Sequence, residues 1–355
     1  MPASPNSIVR DPTWLPHTFN LAGDLLDFVR LSLEDRRRLA FLAQEYVGKD
    51  FEHQIAPYDS VQAFAPAGDE APLHFIFHTS FCCSSLLARA LEAGGAAEAL
   101  REPDILMNLS SRLLREPSAT NLDRVDLMLR LLSRPLRAKR VIVKPSNFAN
   151  NLIGPILKLR GSARAVLIHS DLHAFLRSIA KKGMWGRIWA RKLFARCSSW
   201  SSVRLGFSQA EMFELSDLQV AGLAWLVQAT HFRQVAQHHG SPRVTLLHSD
   251  ALLAQRERAI GLLSARLDLG YGPKNVREIA EGEVFARNSK SADRAFDAAT
   301  REAEHRQALD AHGEEIDMVA KWIAAVADRL ELNISLADLD CDLGQPASPH
   351  EIGRG

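Results

Sequence analysis

Cysteine is scarce in this chain of 355 residues. The four present, Cys82, Cys83, Cys197 and Cys341, form no Cys-x-x-Cys pair and stand beside no histidine cluster. That excludes a disulfide framework and a zinc site and fits a reducing compartment. An excess of one charge is missing as well: 43 Lys and Arg face 42 Asp and Glu, leaving a formal net charge of +1. No global field draws the chain toward nucleic acid or a membrane surface. Uninterrupted apolar runs of about 18 residues, the length of a membrane span, are absent. The first residues, Met1-Pro-Ala-Ser-Pro-Asn6, lack the basic start and apolar run of a secretory leader, so a cytoplasmic location is expected. With 46% hydrophobic and 24% charged residues, the composition is that of a globular chain with a sizeable core.

Glycine is absent from one stretch where it would be informative, Thr79 to Leu91. No lysine precedes the hydroxyls there either, which excludes a standard Gly-x-x-x-x-Gly-Lys-Ser/Thr loop. What this stretch does have is a strand pattern, Leu73 to Phe77, a short loop ending in Ser84-Ser85, and a helical apolar face, Leu86, Leu87, Ala90 and Leu91. A helix start leaves backbone N–H groups without internal partners and attracts anions, so the geometry is that of a phosphate cradle. The ordinary alternative is that Ser84 or Ser85 is a helix cap.

Strand and helix patterns alternate after this point. Arg140–Val143, Ala163–Ile168 and Arg243–Leu247 read as further strands, each followed by a polar junction and an amphipathic helix. This order predicts an α/β fold with a mainly parallel central sheet flanked by helices, and ligands outside the carboxyl ends of the strands. Residues 1–70 read as a helical N-terminal extension, with helical spacing over Leu21–Leu31 and Leu33–Tyr46. Residues 71–340 read as the α/β domain and 341–355 as a flexible tail. A capping box at Ser216 and Gln219 opens a long helix that runs to His238-His239. The junctions His169-Ser-Asp171 and His248-Ser-Asp250 echo each other, as expected where strands turn into helices. From Leu172 to Ala210 there are eight Lys or Arg residues and no acid, with Trp185, Trp189 and Trp200 interleaved. This is a local positive field over a solvated face or an anionic ligand, with Gly183 and Gly186 as candidate hinges.

These parts, from about Leu73 to Leu332, resemble the sulfotransferase family, whose three-layer P-loop-type fold transfers a sulfuryl group from 3'-phosphoadenosine 5'-phosphosulfate. The family's Pro-Arg/Lys-Ser-Gly-Thr-Thr loop corresponds to Ser80-Phe-Cys-Cys-Ser-Ser85, followed by the hydrophobic pair Leu86-Leu87. The resemblance assigns Ser80, Phe81, Cys82, Cys83, Ser84 and Ser85 to the donor's 5' phosphate, with Phe81 at the family's basic position and Cys83 at its glycine. Leu100-Arg-Glu-Pro-Asp104 is similar to the segment that carries a general base in some branches, which implies that role for Glu102. Ser178 falls at the serine that binds the 3' phosphate and Ser170 at the arginine eight residues earlier, leaving Arg177 or the basic stretch beyond it to supply charge. Phe285-Ala-Arg-Asn-Ser-Lys290 is similar to the late basic loop, implying donor contacts from Arg287 and Lys290.

Sulfuryl transfer needs a base on the acceptor and a cation on the leaving oxygens. With phenylalanine at position 81, Lys144 at the end of the second strand is the candidate cation. The expected ligands are the nucleotide donor and a small hydroxyl- or amine-bearing acceptor, with no metal, nucleic acid or membrane span. Two alternatives stand beside this reading: a non-catalytic nucleotide-binding protein of the same fold, and a P-loop kinase-like phosphotransferase, for which Asp250 is the one candidate metal-binding acid.

Overall fold

The computed structural model describes residues 4–20, 24–241, 243–286 and 298–343, with side chains of the last helix from His312 onward. Among these residues, five strands form one parallel sheet: β4 (Leu73–His78), β5 (Ala97–Arg101), β6 (Arg140–Lys144), β7 (Ala165–His169) and β8 (Val244–His248). They lie in the order β5-β6-β4-β7-β8, so the hydroxyl-bearing loop leaves the central strand. The strands are buried on both sides because helices cover both faces. Ile76, Ile142, Val166, Ile168 and Leu247 pack on the helices Ser84–Ala93, Arg256–Arg266 and Pro273–Glu281. Phe75, Phe77, Val143, Leu167 and Leu246 pack the other way, on the helices Leu172–Lys181, Asp217–His239 and Ala298–Arg329. The result is the three-layer α/β arrangement that the sequence pattern predicts.

The four strands expected from the sequence are present within two residues of their expected ends. The long helix is capped by Ser216 through the predicted capping box. The echoed junctions are helix starts: Asp171 Oδ1 accepts the Ala174 N–H at 2.6 Å, and His248 Nδ1 accepts the Asp250 N–H at 3.2 Å.

The N-terminal extension is not purely helical. It contains a second sheet, β1 (Trp14–Phe19), β2 (Leu25–Arg30) and β3 (His53–Pro57), in antiparallel order β1-β2-β3. The expected helix over Leu21–Leu31 is therefore a strand over its described part. Leu26, Phe28 and Val29 suit either spacing over so short a run, and pairing with β1 and β3 decides for the strand. Leu33–Tyr46 holds a single six-residue helix, Leu33–Arg38, closed by a Ser32–Asp35 capping box, and the start of the short helix Gln44–Val47. Ile8, Leu26, Phe28 and Val61 share one continuous core with Phe75 and Phe77 of the central strand.

Buried charge joins the two parts. The Arg101 guanidinium, at the end of β5, donates to the carbonyls of Arg36 (2.6 Å), Leu39 (3.0 Å) and Arg37 (3.2 Å) and to Glu92 Oε2 (3.2 Å). Carbonyls left open where the helix Leu33–Arg38 ends are satisfied in this way. The chain that follows, Phe41 to Tyr46, is thereby laid against the carboxyl edge of the sheet.

Candidate active site

Register brings the two candidate chemical groups together. Arg101 of β5 pairs with Lys144 of β6, so the next residue, Glu102, leaves its strand beside Lys144. Its N–H donates to the Lys144 carbonyl at 2.6 Å. The Lys144 Nζ then donates to Glu102 Oε1 at 2.5 Å, with the lysine side chain 1% exposed and the glutamate 21%. The ammonium also lies 5.5 Å from the Phe41 ring centroid, a cation–π contact supplied by the N-terminal segment. His78, at the end of the central strand, places Nε2 3.0 Å from the same ammonium.

The loop after β4 achieves its wrap without glycine. Ser80, Phe81 and Cys83 have φ of 77°, 54° and 62°, and Glu102 has φ of 52°. Of the six non-glycine residues with positive φ among those described, four thus cluster at one site, and each stores about 1–3 kcal/mol. Cys83 holds the position before the helix Ser84–Ala93, and no side chain caps that helix. Ser84 and Ser85 are therefore not caps. Both serines, at the uncapped helix start, are among the residues that line a cavity of about 920 Å³.

That cavity is lined by Ser80, Phe81, Ser84, Ser85, His78 and Glu102, by Phe41 and Ala43 to Tyr46, and by Phe148, Lys182, Trp185 and Trp189. Phe81 packs against Trp189 and Phe175 at 5.2 and 5.9 Å between ring centroids. Lys182 Nζ lies over the Phe81 and Trp185 rings at 5.7 and 5.0 Å. A cation thus stands next to residue 81 although the residue itself carries none. Cys82 points away, its Sγ 3.3 Å from the Ile168 carbonyl, and burial pushes its thiol up to about 11, so it is no nucleophile at neutral pH.

Other expected donor contacts lie elsewhere. The Ser178 hydroxyl donates back to the Ala174 carbonyl at 2.8 Å, and Arg177 is half-buried with its Nε unpartnered. Neither lines the cavity. Arg287 and Lys290 lie outside the described residues. Much of the acid-free basic stretch is paired within the fold. Arg187 meets Asp217 and Glu315, Arg191 meets Asp217, and Arg196 donates to Ser110, Ser111 and the Phe148 carbonyl. At Gly186 the chain makes a close approach: a Cβ there would stand 2.5 Å from the Ile179 carbonyl oxygen.

Sequence reasoning missed His78 and the Phe41–Tyr46 segment. The only trace of the first was a histidine closing an apolar strand, and the second became part of the site through the long-range hold of Arg101.

No family model matches the chain, and no curated protein matches it. Among solved structures, the chain is similar to the sulfotransferase domain from the curacin biosynthetic pathway, with a TM-score of 0.40 and 10% identity over 69% of this chain and 99% of that one. It is similar to a sulfotransferase from Alicyclobacillus acidocaldarius, with a TM-score of 0.38 and 12% identity over 74% and 96% of the two chains. A third is retinol dehydratase in complex with androsterone and inactive cofactor PAP, at 0.33 and 14% identity over 74% and 82%.

Proposed function

We propose that the chain is a cytoplasmic sulfotransferase that moves a sulfuryl group from 3'-phosphoadenosine 5'-phosphosulfate to a hydroxyl or amine of a small acceptor. One observation carries this reading. A helix start with no side-chain cap, its serines Ser84 and Ser85 and the Glu102 carboxylate line one cavity, and the buried Lys144 ammonium backs that carboxylate. Ser84, Ser85 and the first helix amides are suited to the donor's 5' phosphate. Glu102 takes the acceptor proton as the acceptor oxygen or nitrogen bonds to sulfur. The bond between sulfur and the bridging oxygen breaks, and Lys144 and Lys182 are the cations available for the charge that collects on that oxygen. For the 3' phosphate we propose Arg177 and Ser178, which lie outside the cavity wall and serve only once the Ser178 hydroxyl leaves the Ala174 carbonyl, together with Arg287 and Lys290.

The Lys144–Glu102 ion pair favours a second reading, a protein that binds the nucleotide without turning it over, because each group already neutralises the other. One experiment separates the two. 3'-Phosphoadenosine 5'-phosphate binding is measured by calorimetry, and sulfuryl transfer to a panel of phenols, alcohols and amines is measured with labelled donor. Sulfuryl transfer requires turnover that falls by about 10²- to 10⁴-fold in Glu102→Gln, with donor binding little changed. Binding without turnover of any acceptor gives the second reading, and no preference for the bisphosphate over ADP overturns both.

A further inference from the structure

One ring touches every part of the candidate site. His78 is 4% exposed and sits at the carboxyl end of the central strand. Its Nδ1 lies 3.2 Å from the Ser80 amide nitrogen, and its Nε2 lies 3.1 Å from the Pro145 carbonyl oxygen, 3.0 Å from Lys144 Nζ and 3.9 Å from Glu102 Oε1. The backbone is pinned as well, because Asn150 Nδ2 donates to the His78 carbonyl at 3.1 Å and is itself 3.3 Å from the buried Gln228 Oε1.

These contacts fix the proton. An amide N–H only donates, so Nδ1 must present a lone pair to Ser80. A carbonyl oxygen only accepts, so the ring proton sits on Nε2 and is given to Pro145, which leaves Nε2 no lone pair for the Lys144 ammonium: that ammonium, held by Glu102 Oε1, rests beside the N–H as a second donor. The two nitrogens thus have opposite tasks, each set by a backbone group that cannot change its role. Ser80 is the first of the left-handed residues in the loop, and its amide is the one that the ring holds.

We propose that His78 is the positioning residue that ties the hydroxyl-bearing loop to the Lys144–Glu102 pair. Its Nδ1 sets the loop's first left-handed turn, and its Nε2–H edge, a donor facing a donor, bounds how near the Lys144 ammonium comes and leaves it turned to Glu102. The role of the Lys144 end in turnover rests on the sulfotransferase reading; the tautomer and the loop contact do not. Loop shape and cation position are then coupled through one rigid ring, and a shift at either end is transmitted to the other.

Two substitutions separate the ends. In His78→Asn the side-chain oxygen falls near the place of Nδ1 and still accepts from Ser80, but nothing reaches Lys144. In His78→Gln the polar end reaches the Lys144 side and the Ser80 acceptor is gone. The expected results are a kcat about 10²-fold lower with near wild-type bisphosphate affinity for His78→Asn, and bisphosphate affinity weakened by about tenfold or more for His78→Gln. Equal losses of kcat and affinity in both variants, each folded by circular dichroism, would overturn the split. The tautomer is tested on the free wild-type protein by ¹⁵N-histidine NMR, with His78→Asn to assign the resonance. A ring protonated at Nε2 and not at Nδ1 is expected, and a proton on Nδ1 refutes the proposal. If no acceptor is ever sulfated, the sulfotransferase reading fails while the NMR and affinity arms still decide this one.

Discussion

The Lys144–Glu102 pair should be lopsided in what each partner costs when removed. Breaking a buried ion pair by deleting one member costs about 3–5 kcal/mol, because the other charge is left buried. Here the two members differ in access to water: the lysine side chain is 1% exposed and the glutamate 21%. In Lys144→Met the stranded carboxylate still meets solvent from the cavity, so the cost should fall to about 2 kcal/mol. In Glu102→Gln the stranded ammonium loses its carboxylate and is left buried beside the Phe41 ring and a neutral amide, and about 3 kcal/mol should be lost. The double variant leaves no unpaired charge and should cost less than the sum of the singles by about 1–3 kcal/mol. Urea unfolding of all four proteins measures the cycle. In heating, the larger loss corresponds to about 4 °C, given about 2 cal/mol/K of unfolding entropy per residue. Sulfate should recover part of the loss in Glu102→Gln and none in Lys144→Met. Strictly additive losses, or a larger loss for Lys144→Met, would refute the reasoning.

Three further outcomes follow from buried groups and strained turns. Burial pushes His231 down to about 4 from 6.5, so the unfolded chain takes up a proton between these values that the folded one refuses. Stability should be full above pH 6.5 and fall by about 3 kcal/mol on acidification to pH 4, and His231→Gln, which keeps a donor for the Asn150 carbonyl, should remove that share of the slope. At Cys83, with φ of 62°, Gly should be tolerated and Val should cost about 2 kcal/mol more than Gly, read by thermal unfolding. Arg101→Lys should cost about 3 kcal/mol and expose the Leu33–Tyr46 segment to limited proteolysis, because an ammonium cannot reach the several carbonyls that one guanidinium satisfies.

The parallel sheet was legible because its strands carry the strongest local signal, short apolar runs that are buried on both faces. Strand β5 was not, since Ala97-Glu-Ala-Leu-Arg101 contains no β-branched residue, and its place comes from pairing with β6 rather than from propensity. Yet β5 delivers Glu102 to Lys144, so the candidate base could be named from an Arg-Glu-Pro context while its partnership with that lysine could not. The serines show a similar limit. A serine before an apolar helical run is ordinarily a cap, and here the backbone at Cys83 turns left-handed and moves the helix start onto Ser84 itself. An unfavourable conformation of about 1–2 kcal/mol at one cysteine thereby leaves the helix start open toward the cavity. Local preference misreads this site where packing overrules it, at Ser80, Phe81, Cys83 and Glu102. That strain persists only because surrounding contacts over-determine it: the Ser80 amide on His78, the Phe81 ring on Phe175 and Trp189, and the Glu102 amide on the Lys144 carbonyl. Each of these contacts joins residues from different elements, except the short reach from Ser80 to His78. A reading by local pattern therefore finds the loop and the base but not what holds them in place.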